Sequence, residues 1–118
     1  MKPIAEIVHQ FYAALEKQDY GALRALLHDN LSFRGPIDRF DEAESYLEAI
    51  KKLAPITERI DELKMFTDDT DVCVLYDLVT KTPAGTAFVS EWFRIDGDKI
   101  AAIRVVFDAR PFVALFGI

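Results

Sequence analysis

The hydrophobic period of this chain changes once, near Thr57, and that change limits the fold more than any single motif does. Ahead of it, Ile4, Ile7, Val8, Phe11 and Leu15 recur at helical spacing, and Pro3 suits a first helical turn. Ala22, Leu23, Leu26 and Leu27 repeat the spacing after Gln18-Asp19-Tyr20-Gly21, with Asp19 placed to cap a short second helix. Leu31-Ser32-Phe33-Arg34 alternates like a strand and stops at Gly35-Pro36. Asp41 and Glu44 form a capping-box pattern for a third helix that carries Tyr46, Leu47, Ile50 and Leu53 and ends at Pro55.

Beyond Thr57 the period is two. Leu63 and Met65 alternate with charged residues, and strands are predicted over 72–80, 85–95 and 99–107. Ile60 is out of phase with Leu63, which predicts a bulge near Asp61-Glu62. Thr82-Pro83-Ala84-Gly85 and Asp96-Gly97 supply the turns of an antiparallel meander. The order α-α-β-α-β-β-β-β describes an α+β fold, a curved antiparallel sheet with three N-terminal helices packed over one face. Such a sheet leaves a hollow between its open end and the first helix.

The other sheet face is apolar as well. Cys73, Leu75 and Val79 occupy one strand phase while Val72, Val74 and Tyr76 occupy the next. No helices are left over to cover a second apolar face, so a homodimer through the outer face, with Trp92, Leu75 and Val106 in the contact, is the expected cover. Trp92 shares its phase with Ser90 and Arg94 and belongs to that interface, with the pocket as the alternative.

At 118 residues and 51% hydrophobic content, residues 1–118 are expected to form one domain, since two would leave neither with a closed core. Fourteen Lys and Arg against twenty Asp and Glu give a net charge of -6, which opposes binding to nucleic acid or to an anionic membrane. No apolar run approaches spanning length, and Glu6 stands where a signal peptide would be apolar, so the cytoplasm is the expected location. Cys73 is the only cysteine and reads as a small buried hydrophobe. His9 and His28 lack metal-ligand spacing, and the five glycines are too dispersed to cradle a phosphate, so neither metal nor cofactor is expected.

Glu91 is the residue that this pattern leaves unexplained. Alternation places it with Val89 and Phe93 on the apolar face of the most strand-like segment, where an ionised carboxyl needs a donor, water or a proton. Structural pairing with Arg104 or Arg34 is one answer. A neutral carboxyl, with its pKa raised by burial against Val89, Phe93 and Tyr76, is the other. Phe11, Tyr12, Phe33, Tyr76, Val89, Phe93, Val105 and Phe107 are the expected lining of the pocket, which would take a small apolar ligand. Arg34, beside Gly35, is a further candidate for greeting an anionic group.

Several short motifs agree: Phe11-Tyr12-Ala13-Ala14-Leu15 followed by Asp19, Phe33-Arg34-Gly35-Pro36, Glu91-Trp92-Phe93-Arg94-Ile95 before Asp96-Gly97-Asp98-Lys99-Ile100, and Asp108 closing the last strand. Together they resemble the SnoaL-like branch of the nuclear transport factor 2-like superfamily, across almost the whole chain. The resemblance implies a cone-shaped sheet and, among known members, isomerases, polyketide cyclases, epoxide hydrolases, dehydratases and proteins that only bind. It implies Glu91 at the position of a protonated acid that donates to an oxyanion, and Asp108 at that of a cyclase acid/base. The position of the isomerase base falls at Gly35, which has no side chain, and the isomerase tyrosine falls at Phe11, with Tyr12 adjacent.

Two functions follow. One is a cofactor-free isomerase or cyclase acting by proton transfer on a carbonyl compound, with Asp108 as base and Glu91 as donor. The other is a non-catalytic dimeric domain that binds a ligand or partner, with Asp108 paired locally to Arg110. Alternation puts Asp108 in phase with Arg104 and Val106, so it reaches the pocket only if the last strand twists or bulges at its end.

Overall fold

The computed structural model describes residues 3–117. Helix α1 (Ile4–Lys17) buries Ile7, Val8, Phe11 and Ala14 along one stripe. It stops at Gln18, which takes a left-handed conformation (φ 55°), and the Asp19 N–H then donates to the Ala14 carbonyl at 2.9 Å. Helix α2 (Tyr20–Ala25) starts from Asp19, whose side chain accepts from the Ala22 N–H at 3.1 Å. Strand β1 (Leu27–Arg34) and the two-residue β2 (Arg39–Phe40) follow, then α3 (Ala43–Leu53).

The capping box expected at α3 does not form. Arg34 holds Asp41 in an ion pair at 2.7 Å, so Glu42 becomes the N-cap residue and the Ser45 hydroxyl bonds its carboxylate. A guanidinium within reach outcompetes a local cap, because the charge-assisted bond is the stronger one.

After a 3-10 turn over Ala54–Ile56, four strands run as a meander: β3 (Thr57–Thr67), β4 (Asp71–Thr80), β5 (Thr86–Asp96) and β6 (Lys99–Val106). The sheet order is β2-β1-β6-β5-β4-β3. Every neighbouring pair is antiparallel except β1 and β6, which run parallel. That exception follows from connectivity: no hairpin joins β1 to the meander, so its direction is set by how α3 returns the chain. The bulge in β3 falls at Leu63, where the register passes from Glu62 opposite Tyr76 to Lys64 opposite Leu75. The apolar tail forms a further helix, α4 (Arg110–Phe116), anchored by the buried Phe112.

Helices cover only the inner sheet face. On β5, Ala87, Val89, Glu91, Phe93 and Ile95 alternate as buried residues with exposed Phe88, Trp92 and Arg94. Phe11 of α1 meets Phe93 edge-on at 5.1 Å between ring centroids, which fixes the helix across the middle of the sheet. The outer face leaves Phe66, Phe88, Trp92 and Val106 exposed, the last at 69%, with Leu75 partly covered beside them. Among the described residues no helix is long and apolar enough to cross a membrane.

Candidate functional site: a buried carboxyl in a tyrosine-lined cavity

Strand β5 places Glu91 between Val74 of β4 and Val105 of β6, on the face that the helices cover. The residue is 5% exposed. Tyr12 follows Phe11 on α1, so its ring leaves the edge of the helix's buried stripe and its hydroxyl donates to Glu91 Oε1 at 2.6 Å. The Tyr76 hydroxyl adds a weaker interaction with the same carboxyl. Tyr12 and Tyr76 meet edge-on at 5.7 Å, and Tyr12 meets Phe93 in the same way at 5.8 Å.

Tyr12, Tyr76 and Glu91 line a cavity of about 480 Å³. Helix α1 contributes Tyr12 and Leu15, and α3 contributes Tyr46 and Ile50. The sheet contributes Ile60, Val74, Tyr76, Leu78 and Glu91. The mouth lies where α1, α3 and the start of β3 converge, and Glu16, Glu58, Arg59, Asp61 and Glu62 stand around it. Tyr46 is 1% exposed, and its ring packs on Phe33 at 5.1 Å.

Burial pushes the Glu91 pKa up from 4.5 to about 7, with the Tyr12 and Tyr76 hydroxyls pulling against the rise. The phenols are raised in turn. Tyr12 lies far above its ordinary value through burial and then the nearby Glu91 charge, and Tyr46 and Tyr76 are raised for the same reasons. All three therefore stay protonated at any working pH, while the Glu91 carboxyl titrates near neutrality.

Neither expected arginine pairs with Glu91. Register aligns Trp92 with Arg104 and Arg104 with Arg34, so both guanidinium side chains belong to the outward phase of the sheet. Arg104 donates to the Ser32 and Ile103 carbonyls, and Arg34 to the Phe33 and Phe40 carbonyls and to Asp41.

Asp108 is likewise not at this cavity. Strand β6 ends at Val106, and Asp108 sits in the coil ahead of α4, where it accepts from the Arg110 N–H at 3.1 Å and pairs the Arg110 guanidinium at 2.7 Å. Those hydrogen bonds hold its pKa down at about 2. It lines a separate surface hollow with Phe107 and Val113. The proposed pairing of Asp108 as base with Glu91 as donor is therefore not assembled, since the strand ends before it could turn the side chain inward.

Of the residues expected to line the pocket, Tyr12 and Tyr76 do so beside Glu91. Phe11, Val89 and Phe93 are packed into the core, Phe33 stacks between Phe40 and Tyr46, and Val105 is half-buried against the core. The α1 side chain that meets Glu91 is Tyr12, while Phe11 on the inward stripe is consumed by core packing. Tyr46, which its spacing with Leu47, Ile50 and Leu53 assigns to the apolar face of α3, also lines the cavity. A tyrosine on a core-facing helical position carries a hydroxyl that needs a destination, and that was the available signal. Among the described residues no group of three or more His, Cys, Asp or Glu side chains could hold a metal ion.

The sequence profile of the SnoaL-like domain matches residues 8–103. The chain belongs to the SnoaL-like family. Three solved structures show how widely this SnoaL-like fold is used. An NTF2-like protein of unknown function from Cytophaga hutchinsonii shares 26% identity, covering 95% of this chain and 96% of its own, with a TM-score of 0.82. An LEH-like epoxide hydrolase of M. tuberculosis shares 18% identity over 95% of this chain and 93% of its own, with a TM-score of 0.76. A de novo designed protein with a curved β-sheet shares 16% identity over 99% of this chain and 98% of its own, with a TM-score of 0.82. The architecture is thus reached by an enzyme and by a designed chain alike, so activity has to be argued from the site. No functionally curated protein matches the chain by sequence.

Proposed function

We propose that this SnoaL-like domain binds a small, largely apolar molecule in the Glu91 cavity, with the carboxyl as its deep polar anchor. The observation that carries this reading is a carboxyl buried in a cavity wall, bound to phenols, with no cationic partner among the described residues. A purely structural carboxylate at such depth would normally be paired, because an unpaired one weakens the fold. A cavity that is mostly apolar with a few convergent polar groups is the usual form of a small-molecule site. The test is an NMR titration with tryptophol, a neutral indole alcohol. Shifts at Tyr12, Tyr46, Tyr76 and Glu91 are expected, and shifts confined to the outer sheet face would overturn the reading.

A second reading adds catalysis and rests on the Glu91 pKa near 7, the range in which one carboxyl can both take and return a proton. With Asp108 elsewhere, Glu91 would remove an α-proton from a carbonyl compound, the C–H electron pair would become the enolate, and the Tyr46 hydroxyl would donate to its oxygen. The same carboxyl would then return the proton, as in an isomerase. Deuterium uptake into 2-indanone measures this step, and an uptake rate equal in wild type and Glu91→Gln would sink it.

The exposed apolar outer face supports a homodimer as the state in which the domain works. Phe66, Trp92 and Val106 border one hollow there, and contiguous exposed aromatic surface of this kind favours association. Light scattering should report a dimer that Val106→Glu converts to a monomer.

A further inference from the structure

The hydrogen-bonding sense of the cavity specifies more than its size does. The Tyr12 hydroxyl donates to Glu91 with Tyr76 beside it, and a carboxylate with about four lone-pair sites retains capacity to accept more. Tyr46 brings a further phenol hydroxyl to the wall of the same cavity. At the mouth, Glu16, Glu58, Asp61 and Glu62 stand against Arg59, whose guanidinium is already engaged by Glu58 at 2.7 Å and Asp61 at 3.0 Å. Lys51 is engaged as well, lying over the Tyr20 ring at 5.6 Å and pairing Glu48 at 3.4 Å. The path inward is therefore acidic, and its end is rich in acceptors.

We infer that the cavity selects an apolar ligand bearing a cationic amine, with the ammonium seated against Glu91 and Tyr46 and the hydrocarbon body against the aromatic wall. The inference rests on the ligand-binding reading above and names the class of molecule that reading leaves open. An ammonium carries donors and no acceptor, which complements a carboxylate and a phenol oxygen. It supplies the missing counter-charge, and tyrosine faces attract it further once water is excluded. An anionic head would meet repulsion at the mouth and again at Glu91. A neutral acceptor would be held only while Glu91 keeps its proton.

These ligand classes respond to pH with opposite signs. The groups facing Glu91 are Tyr12 on α1, Tyr46 on α3 and Tyr76 on β4, and none of them titrates near neutrality. Ammonium binding follows ionisation of Glu91 and strengthens as pH rises through about 7. It levels off above that, until the amine itself loses its proton near pH 10. A neutral acceptor weakens over the same interval.

Calorimetric titration of the full chain with tryptamine, tryptophol and indole-3-acetate varies the head group on one indole body. Tryptamine should bind at least about tenfold more tightly than tryptophol near pH 8, with indole-3-acetate weakest. Between about pH 6 and pH 8 the tryptamine affinity should rise roughly tenfold. Glu91→Gln, which keeps the shape and removes a buried charge, should weaken tryptamine at least about tenfold near pH 8 and abolish the rise in its affinity between about pH 6 and pH 8. Tyr46→Phe should weaken tryptamine by roughly threefold. If tryptophol binds as tightly as tryptamine, or if Glu91→Gln leaves tryptamine unaffected, the amine assignment falls and the cavity reading stands. If neither compound binds, both fall together.

Discussion

Glu91 and Asp108 are carboxylic acids on the same half of the fold, and their surroundings drive them apart. Glu91 sits within β5, where the covering helices strip water from its carboxyl and leave it two phenols, whereas Asp108 sits in the coil beyond β6, open to solvent and clasped by Arg110. Burial pushes the first up to about 7, and the Arg110 hydrogen bonds hold the second at about 2. The comparison teaches that a carboxyl becomes a chemical group through desolvation without a counter-charge, and a structural one through a local cation. The same contrast explains why a motif match at Asp108 carries little: the residue type is present, but the coil lets a neighbour neutralise it.

The largest effect tests that contrast directly. Carboxyl carbon NMR should show Glu91 titrating near 7 and Asp108 near 2, about five pH units apart. Midpoints lying together near 4 would break the comparison.

Stability should follow the same difference. The folded-state pKa of Glu91 lies above its unfolded value of 4.5, so the folded protein binds the extra proton between the two. Stability is then full below about 4.5 and declines as pH rises through about 7, by on the order of 3 kcal/mol. Urea unfolding at pH 5 and pH 8 measures the loss, and Glu91→Gln should abolish it. Asp108 has the opposite sign, its contribution being present above 3.8 and lost as pH falls through about 2. Asp108→Asn should consequently leave the interval from pH 5 to 8 unchanged, since the pair is exposed to solvent.

The smallest effect sharpens the role of Tyr12. Tyr12→Phe removes the short bond to Glu91, so the carboxyl pKa should rise further and stability near pH 8 should fall by about 1 kcal/mol. A pKa unmoved by this change would transfer the donor role to Tyr76.

Much of the scaffold was legible because it rests on periodicity. Ile7, Val8 and Phe11 face the core of α1 as their spacing requires, and Val72, Val74 and Tyr76 take the inner phase of β4. Asp19 caps α2 through a contact three residues long, which local sequence can specify. Asp41 failed as a cap for the opposite reason, since Arg34 arrives from another strand. The parallel pairing of β1 with β6 and the helix at Arg110–Phe116 also lay outside the reading, because neither follows from a hairpin or from strand alternation.

What the sequence alone determined is that Glu91 must lie on the apolar face of a strand, because alternation leaves it no other side. Only the tertiary structure decided its company. Register turned Arg34 and Arg104 to the outer face, α1 delivered the Tyr12 hydroxyl to the carboxyl while Phe11 packs into the core, and α3 brought Tyr46 into the same cavity. Those are distances between elements far apart in the chain, and no local pattern of residues encodes them. The carboxyl was visible in the sequence; its isolation from every cation among the described residues was a property of the fold.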